Sequence, residues 1–482
     1  MKREERIIIR QCQKLSRNEI IRAAEKAAGR AGVPLEDFLE WMFSDLALKY
    51  KDEKMNKRLV IENKIRSLGI RLPNGTVNKE YRAEITLPDE ILNEVENIWI
   101  AGEKDLGLDF LNIEPGRYVL TGKPVKTGDY RLKLRFMTVY DDSVSEIDIP
   151  VAFNPNPRDL WKNIPSDPDI FAFHKADSDQ CYVKVEEDEN GSPRKDIVAA
   201  SQRGRSHAQE GKPRDDDFKV YHDPESDWYI LTVADGAGSA KYSRKGSEVA
   251  CKTVLDYCRN KLSQNYEFEK DLVEWASDRD NDDKRNKVTR QIINIIYKGA
   301  IKAHEEIRKV ADAHEGYSLR DFATTLMFAI CKKYDFGWFI ASFWVGDGAM
   351  AIYDENARTV KLLGTPDEGE FSGQTRFLTM PEIFHDKDVY SKRLRMSIVP
   401  EFTALFLMTD GVSDPMFETE RNLTDFNKWK EFYQKLKTGF PEDEIGGVDL
   451  SDDNEDSQNQ LLKWLDFWSP GNHDDRTIAI LY

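Results

Sequence analysis

The stretch that decides the fold reads Trp228-Tyr-Ile-Leu-Thr-Val-Ala-Asp235-Gly236-Ala-Gly238-Ser239. Its first seven residues are apolar or favour β-structure, and an Asp-Gly pair and a turn of small residues follow them. This pattern predicts a buried strand that brings the carboxylate of Asp235 to the edge of a sheet. Gly236 has no Cβ, so its backbone can turn sharply and approach a ligand closely.

The same pattern occurs twice more along the chain. Residues 338–345 run into Gly346-Asp347-Gly348, and residues 403–409 run into Asp410-Gly411. A single Asp-Gly pair after a strand is usually no more than a turn. Three copies, each behind a strongly apolar strand, predict a sheet edge where carboxylates gather around a metal.

Two further acidic stretches precede apolar strands, at residues 215–217 and at Asp474-Asp475. Carboxylate oxygens suit Mg²⁺ or Mn²⁺, whereas zinc favours His or Cys ligands. Two such ions about 3.5–4 Å apart share a carboxylate and a bridging water, whose pKa they lower. The acidic edge is therefore suited to hydrolysis of a phosphate ester.

Composition narrows the class of protein. The 482 residues are enough for two to four domains, and 40% of them are hydrophobic. We expect neither a membrane-spanning helix nor a signal peptide, because no apolar run is long enough. The five cysteines have no ligand spacing and favour a cytoplasmic location. The net charge of −17 argues against binding to nucleic acid or to an anionic membrane.

The front of the chain divides into segments without a catalytic motif. Residues 1–70 read as a helical bundle or a helix pair that docks a partner, and Ser16 stands at capping-box spacing from Glu19. Residues 77–153 have the period of two that predicts a β-sandwich. Residues 154–169 are proline-rich and predict a linker. Residues 170–482 hold all three Asp-Gly strand ends, with long helices at 243–262 and at about 284–314.

Two segments invite a more specific interpretation. The run from Leu120 to Tyr130, with Gly122, Pro124 and Gly128, resembles the Gly-x-Pro…Gly-x-Tyr hairpin of bacterial immunoglobulin-like modules. The acidic stretch at 442–456 lacks the turn glycine that a calcium loop needs after alternating acids, so we expect a solvated surface loop.

The order of motifs in the second half resembles the metal-dependent protein phosphatases of type 2C, the PPM family, over about 200–482. The motifs are Asp216; Asp235-Gly236; Thr324-Thr325-Leu326; Gly346-Asp347-Gly348; Asp410-Gly411; and Asp474 with Thr477. The opening pattern, Ser206-His207…Gly211-x-Pro213…Asp216, resembles the bacterial branch of that family. The resemblance implies an α+β fold, a four-layer αββα sandwich with the metal site at one end of its two sheets.

The resemblance also implies roles for individual residues at a site with two or three Mg²⁺ or Mn²⁺ ions. Asp235 bridges both metals, and Gly236 adds its backbone carbonyl. Asp410 and Asp474 bind the first metal, and Asp216 acts at the other side, directly or through water. Asp347 either holds a third, weaker ion with Asp410 or is a plain turn residue.

The chain departs from the family pattern at the position of a phosphate-gripping arginine, where Gly211 stands. His207 is the preferred substitute, because it fits the bacterial pattern, although a His in a polar loop is often merely solvated. The alternatives are Arg203, Arg205 and Arg214. Ala323 and Asp475 also replace a family Gly and Asn, and no metal ligand is lost.

Three functions remain open from the sequence. The first is a Mg²⁺/Mn²⁺-dependent serine/threonine protein phosphatase that uses a metal-activated water, with Asp216, Asp235 and His207 as catalytic residues. The second is a weakly active or inactive phosphatase-fold scaffold that acts as a regulatory binding protein. The third is a hydrolase of small phosphate esters. The resemblance further implies a phosphorylated protein substrate, and a Ser/Thr kinase and a von Willebrand-type A domain protein as partners.

Overall fold

The computed structural model describes residues 17–187, 194–263, 265–367, 375–384 and 393–482. The chain divides into two compact units, Met1–Leu160 and Trp161–Tyr482, and each is described by itself. The predicted helix cap at Ser16 lies outside the described residues. So does Cys12, one of the five cysteines used to infer location.

Unit 1 opens with a helical hairpin of α1 (Arg17–Ala31) and α2 (Leu35–Ser67). Gly32 makes the turn with a φ of 70°, in the left-handed region that suits glycine. The sequence pattern predicts two amphipathic stretches after this turn, but α2 is a single helix of 33 residues. It is continuous because neither glycine nor proline interrupts the segment.

The rest of unit 1 is two sheets around one core. Strand order is β1-β7-β6-β3 in one sheet and β2-β5-β4 in the other. The strands are β1 (Gly75–Thr76), β2 (Tyr81–Thr86), β3 (Val95–Ala101), β4 (Leu108–Glu114), β5 (Arg117–Gly122), β6 (Gly128–Thr138) and β7 (Asp141–Asn154), with a short helix α3 (Asp89–Leu92) after β2. Apolar side chains of both sheets, and Ile61 and Ile65 of α2, form the shared core.

Two of these strands escape prediction. In β4 only Leu108 is buried, so the alternation that marks a half-buried strand is absent. Strand β1 has only two residues. The alternation in β2 is clear, with Tyr81, Ala83 and Ile85 buried and their neighbours exposed.

Unit 2 contains two larger antiparallel sheets. One has the order β10-β11-β12-β13-β16, and the other has the order β15-β14-β17-β18-β9-β8. Their strands are β8 (Ser178–Val183), β9 (Ile197–Gln202), β10 (Asp217–His222), β11 (Tyr229–Ala234), β12 (Leu326–Tyr334), β13 (Gly337–Val345), β14 (Ala349–Asp354), β15 (Thr359–Leu362), β16 (Leu394–Val399), β17 (Ala404–Met408) and β18 (Arg476–Leu481).

The two sheets of unit 2 face each other, and helices cover their outer sides. Side chains such as Leu231 of one sheet and Leu407 of the other share a core. Every residue of β11, β13 and β17 is buried, because both faces of these strands are covered. This explains why their sequences are continuous apolar runs and not alternating ones. The predicted mixture of helices and antiparallel sheets is confirmed.

The helices of unit 2 fall into two groups. The sheet that contains β11 packs against α5 (Ser243–Leu262), α6 (Tyr266–Ala276), α7 (Asp282–Ile292) and α8 (Lys298–Asp312). The sheet that contains β17 packs against α9 (Asp410–Phe417), α10 (Phe426–Thr438) and α11 (Ser457–Trp464). The first helix of the unit, α4 (Arg205–Glu210), precedes both groups along the chain. Among the described residues, none of the helices combines the length and the apolar character needed to cross a membrane.

The helix predicted at 243–262 is confirmed, whereas the one predicted at about 284–314 is interrupted. It consists of α7, a π-helical turn at Ile293–Tyr297, and α8. The buried residues Val288, Ile292, Ile296 and Ala300 follow one another at intervals of four through the π-turn, so hydrophobic periodicity does not reveal it. Helix α6 was not predicted; the side chain of Asn265 caps it by accepting a hydrogen bond from Phe268 N.

The proline-rich stretch predicted as a linker crosses the boundary between the units. From Trp161 onward it belongs to unit 2, where Ile164 N donates to Ala208 O at 2.9 Å. Lys162 N donates to Gln209 Oε1 at 2.6 Å. These bonds fasten the segment to the surface of unit 2 beside helix α4.

Candidate metal centre

Three aspartates from distant parts of the chain meet where strands of the two facing sheets end. Asp235 follows β11, Asp347 lies between β13 and β14, and Asp410 follows β17 and Thr409. Each offers a carboxylate oxygen, and these oxygens lie within 4.8 Å of one another. Asp410 begins helix α9 and so does not sit in a turn. We call these three residues the carboxylate cluster.

The structure fixes one oxygen of Asp216 and leaves the other without a partner. Its Oδ2 accepts hydrogen bonds from Thr477 Oγ1 at 2.7 Å and from Thr409 Oγ1 at 3.0 Å. Its Oδ1 is buried with no hydrogen-bond partner among the described residues. In the same way, Thr375 donates to Asp347 Oδ2, and Asp347 Oδ1 is buried and unpartnered within the described chain. A cation satisfies such oxygens, whose burial is otherwise costly.

Crowding of like charges shows in the pKa values of these carboxyl groups. Burial, followed by repulsion from Asp410, Asp216, Asp474 and Asp347, raises the pKa of Asp235 well above its ordinary value. Burial and repulsion from Asp347 do the same for the pKa of Asp410. Burial, followed by repulsion from Asp475, raises the pKa of Asp216 to about 7. The arrangement favours either bound protons or bound cations.

The predicted ligands are not all brought equally close. Asp216 and Asp474 are not part of the three mutually close carboxylates, although both repel Asp235 and the side chain of Asp216 lies within hydrogen-bond reach of Asp235. Asp474 Oδ1 accepts a hydrogen bond from the backbone of Asp475 at 2.9 Å. Gly236 is packed so tightly that an added Cβ would lie 2.6 Å from Asp215 O. The metal-ligand roles of all six predicted residues, Asp216, Asp235, Gly236, Asp347, Asp410 and Asp474, stay predictions.

The paired threonines of the third motif hold the backbone of Asp235. Thr324 Oγ1 donates to Asp235 O at 2.8 Å, and Asp235 N donates to Thr325 Oγ1 at 2.8 Å. Thr325 N also donates to Asp235 O at 2.8 Å. Three hydrogen bonds to a single residue restrict its backbone, so the carboxylate is held in place before any ligand arrives.

Asp475 joins three segments around the last acidic pair. Its Oδ1 accepts from Gly204 N at 2.6 Å and faces His207 Nδ1 at 3.0 Å. Its Oδ2 accepts from Asp215 N at 2.5 Å. Although burial opposes ionisation of both groups, their attraction lowers the pKa of Asp475 and raises that of His207 to about 9. Asp475 is therefore a structural anchor beside Asp474.

His207, predicted to grip the phosphate, lies between two carboxylates. Its Nδ1 faces Asp475, and its Nε2 lies 3.7 Å from Asp215 Oδ2. This placement fits an imidazolium that positions the two acidic segments. Its phosphate-gripping role stays a prediction.

The three alternative arginines also contact other parts of the fold. Arg203 donates to Lys212 O and to Asn163 Oδ1. Arg205 pairs with Asp466 at 2.6 Å. Arg214 Nε donates to Ala176 O at 3.3 Å. These contacts give each arginine a structural role.

Sequence reasoning missed two groups beside the cluster. Asp414 lies one helical turn after Asp410 in α9, and burial and Asp347 raise its pKa to about 6. The i,i+4 spacing of these two acids is a signal that could have found it. Thr375, on Asp347, lies in a segment without a motif, so nothing in the sequence marks it.

A second acidic group combines Asp196 with two residues of the stretch expected to be a solvated loop. Oxygens of Asp196, Asp452 and Asp453 approach within 4.8 Å of one another, and the last two residues are exposed. Asp196 already accepts hydrogen bonds from Tyr182 Oη, Val185 N and Asp453 N. Because the protein already donates hydrogen bonds to both oxygens of Asp196, this residue has no unpartnered carboxylate oxygen of the kind found at Asp216 and Asp347.

Comparison with known proteins identifies the class. The family model of protein phosphatase 2C matches residues 203–466, which is more than half of the chain. The chain therefore belongs to the protein phosphatase 2C family. The match covers the carboxylate cluster, whereas Asp474 lies just beyond its end.

Several solved structures are similar to this chain at low sequence identity. The serine/threonine phosphatase of S. agalactiae has 13% identity and a TM-score of 0.31, covering 59% of this chain and 98% of that one. Stp1 of Staphylococcus aureus has 14% identity and a TM-score of 0.34, covering 62% and 97%. PppA, described as a regulatory component of T6SS in Pseudomonas aeruginosa, has 13% identity and a TM-score of 0.32, covering 60% and 97%. No curated protein matches the chain.

The buried acids make a prediction about the metal-free protein. Because the pKa of Asp216 rises from 3.8 to about 7, the folded state retains a proton that the unfolded state releases. This contribution to stability is complete below pH 3.8 and is lost as the pH rises to about 7. Mn²⁺ competes with protons for these oxygens, so we expect it to raise the melting temperature more at about pH 7.5 than at about pH 5.5. Equal Mn²⁺ shifts at both pH values in a thermal melt would contradict this account.

Proposed function

We propose that this protein is a Mg²⁺- or Mn²⁺-dependent phosphatase that removes phosphate from phosphoserine and phosphothreonine in proteins. The observation that carries the proposal is the meeting of Asp235, Asp347 and Asp410 within 4.8 Å, in a chain of the protein phosphatase 2C family. The facing sheets with helices on both outer sides support the predicted αββα sandwich.

The residues at the cluster fit hard divalent cations. The cluster offers only carboxylate oxygens as ligands. The Oδ1 atoms of Asp216 and Asp347 are buried without a hydrogen-bond partner among the described residues, so each can bind a cation. Asp235, Asp410 and Asp347 would hold the ions, with Asp216, Asp474 and the carbonyl of Gly236 completing the set. When bound, such ions lower the pKa of a water and offset charge on the phosphoryl group.

The protein's own contribution is to fix the ligands in advance. Thr324 and Thr325 restrain the backbone of Asp235, and Thr409 and Thr477 orient the carboxylate of Asp216. Because these partners are buried and hydrogen-bonded, they restrict movement of the Asp235 backbone and of the Asp216 carboxylate away from the other acids. Positioning of charge before the reaction is a main source of rate enhancement.

The direct test is hydrolysis of a phosphothreonine peptide with and without Mn²⁺. We expect activity to depend on Mn²⁺ or Mg²⁺ and to disappear in excess chelator. Full activity in chelator would refute the proposal. Metal binding without turnover of the peptide or of p-nitrophenyl phosphate would favour the scaffold. Turnover of p-nitrophenyl phosphate alone would favour the small-ester hydrolase.

We further propose that unit 1 docks partners and contributes nothing to the chemistry. Its β-sandwich has a separate core, and the carboxylate cluster comes wholly from unit 2. The family resemblance implies a Ser/Thr kinase and a von Willebrand-type A domain protein as these partners, in the cytoplasm. The immunoglobulin-like character of residues 77–153 is part of this proposal.

Deletion of residues 1–155 separates docking from catalysis. We expect the shortened protein to keep its kcat/KM on a short phosphopeptide within about threefold, because no residue of the cluster is removed. We expect it to lose co-purification with a partner that the full chain retains. An unchanged complex with every partner, measured by pull-down from the same extract, would contradict a docking role.

A further inference from the structure

A cavity of about 590 Å³ is lined by the segment that follows Asp235 and Gly236, and we call it the flank pocket. One wall is formed by residues 238–242, which directly follow the Asp235-Gly236 pair, and the other is formed by residues 170–172. Asp215, against which Gly236 packs, also lines the cavity. The pocket therefore opens within a few residues of a predicted metal ligand.

A buried arginine holds the two walls together. Arg244 Nη1 donates to Ala172 O at 3.1 Å and to Lys241 O at 3.2 Å. Its Nε donates to Asp215 Oδ1 at 3.0 Å, and its guanidinium lies 5.8 Å from the ring centroid of Phe171. Because Arg244 is only 5% exposed, these contacts make the pocket a built part of the fold.

The wall at residues 170–172 lies before residue 203, where the match to the family model begins. Ile170 is 72% exposed, so an apolar side chain stands in solvent at the edge of the pocket. The remaining described part of this segment is fastened to unit 2 through Ile164 and Lys162. An exposed apolar group beside a cavity is typical of a surface that contacts a ligand.

The charge of the flank pocket is opposite to that of the chain. Three cations, Lys212, Lys241 and Arg244, line it with one acid, Asp215, whereas the whole chain carries −17. Asp215 neutralises Arg244, and Lys212 pairs with Glu210 at 2.5 Å. Lys241 is exposed; its ammonium group contacts the side chain of Tyr242, 5.1 Å from the ring centroid, and is attracted by Asp321, but among the described residues no carboxylate forms an ion pair with it. An acidic group that enters the pocket would meet Lys241 first.

We propose that the flank pocket binds an acidic side chain close in sequence to the phosphorylated residue, so that phosphoproteins with acidic flanks are preferred substrates. This inference rests on the proposed phosphatase function. An extended peptide advances about 3.3 Å per residue, so a neighbour of the phosphoresidue reaches a cavity lined by the segment that follows Asp235 and Gly236. A cavity of about 590 Å³ is large enough for one side chain and part of its backbone.

The test uses matched phosphothreonine peptides that differ only in carrying Glu, Gln or Lys within three residues on either side. We expect the full chain with Mn²⁺ to prefer Glu over Gln by about three- to tenfold in kcat/KM, the range of one partly exposed ion pair or two. Lys241→Ala should remove this preference by raising KM for the Glu peptide while kcat stays unchanged. Lys212→Ala should weaken the preference in the same direction.

A matched control lies on the same helix as Arg244. Lys252 of α5 is exposed and does not line the flank pocket, so Lys252→Ala should keep the preference for Glu. Equal kcat/KM for all three peptides, a preference for Lys, or an unaltered preference in Lys241→Ala would overturn the inference. Hydrolysis of p-nitrophenyl phosphate separates the two proposals. If all three peptides are hydrolysed with equal kcat/KM, only the pocket proposal fails, whereas turnover of p-nitrophenyl phosphate without turnover of any peptide is a failure of the proposed function.

Discussion

Asp235→Asn is expected to lower kcat/KM on a phosphothreonine peptide at least about 100-fold at saturating Mn²⁺, which is the scale for loss of one preorganised charge at a reacting centre. Asp235 lies in the carboxylate cluster, and its backbone is held by Thr324 and Thr325. An amide keeps the shape of the side chain but removes the negative charge and one anionic ligand. The loss is therefore electrostatic, and the fold is preserved.

The same substitution should stabilise the protein in chelator. Burial and the surrounding aspartates disfavour the charged form of Asp235, so a neutral side chain relieves that repulsion. We expect a higher melting temperature than for the unaltered protein without metal, and a smaller increase on adding Mn²⁺. Asp335→Asn is the matched control, because Asp335 is exposed at the other end of β13 from Asp347. Equal activity of Asp235→Asn and Asp335→Asn would contradict a metal role for Asp235.

Gly411→Ala is the second substitution with a large expected effect. A Cβ at this position would lie 1.9 Å from the backbone oxygen of Asp475, which has no freedom to move aside. The added methyl group must separate the start of α9, with Asp410, from the segment that carries Asp474. We expect a loss of about 1–3 kcal/mol in the free energy of unfolding, typical of an overpacked interior, together with a large fall in activity.

The control for this substitution is a glycine with space around it. A Cβ at Gly446 meets nothing within 4 Å, so Gly446→Ala should leave both stability and activity close to those of the unaltered protein. Thermal melts and peptide hydrolysis at matched Mn²⁺ measure both quantities. If Gly411→Ala behaves like Gly446→Ala, the close packing of the two ligand-bearing segments does not position the site.

The strands and their acidic ends could be predicted because each is encoded locally. Strand β13 is an uninterrupted apolar run that ends in Gly346-Asp347, and its full burial follows from that composition. The clustering of Asp235, Asp347 and Asp410 could be predicted only because the same pattern, an apolar strand followed by Asp-Gly, occurs three times. Strand β4 and the π-turn in the 284–314 segment carry no such signal, because only Leu108 is buried in the first and the spacing of buried residues is preserved through the second.

The parts of the site that escaped prediction depend on contacts across long distances in sequence. His207 and Asp475 are 268 positions apart, and nothing local indicates that the imidazole faces that carboxylate. The same holds for Arg244 on Asp215, which closes the flank pocket. The distances between the carboxylate oxygens also do not follow from sequence order. Only the structure shows that Asp347 belongs to the carboxylate cluster and that Asp474 lies outside it.

Anomalous scattering from a crystal soaked in Mn²⁺ tests the central claim most directly. The account predicts Mn²⁺ in contact with carboxylate oxygens of both Asp235 and Asp410, at about 2.0–2.2 Å as for other small hard cations. Mn²⁺ found only at Asp196, Asp452 and Asp453, or no Mn²⁺ at the cluster under saturating conditions, would contradict it.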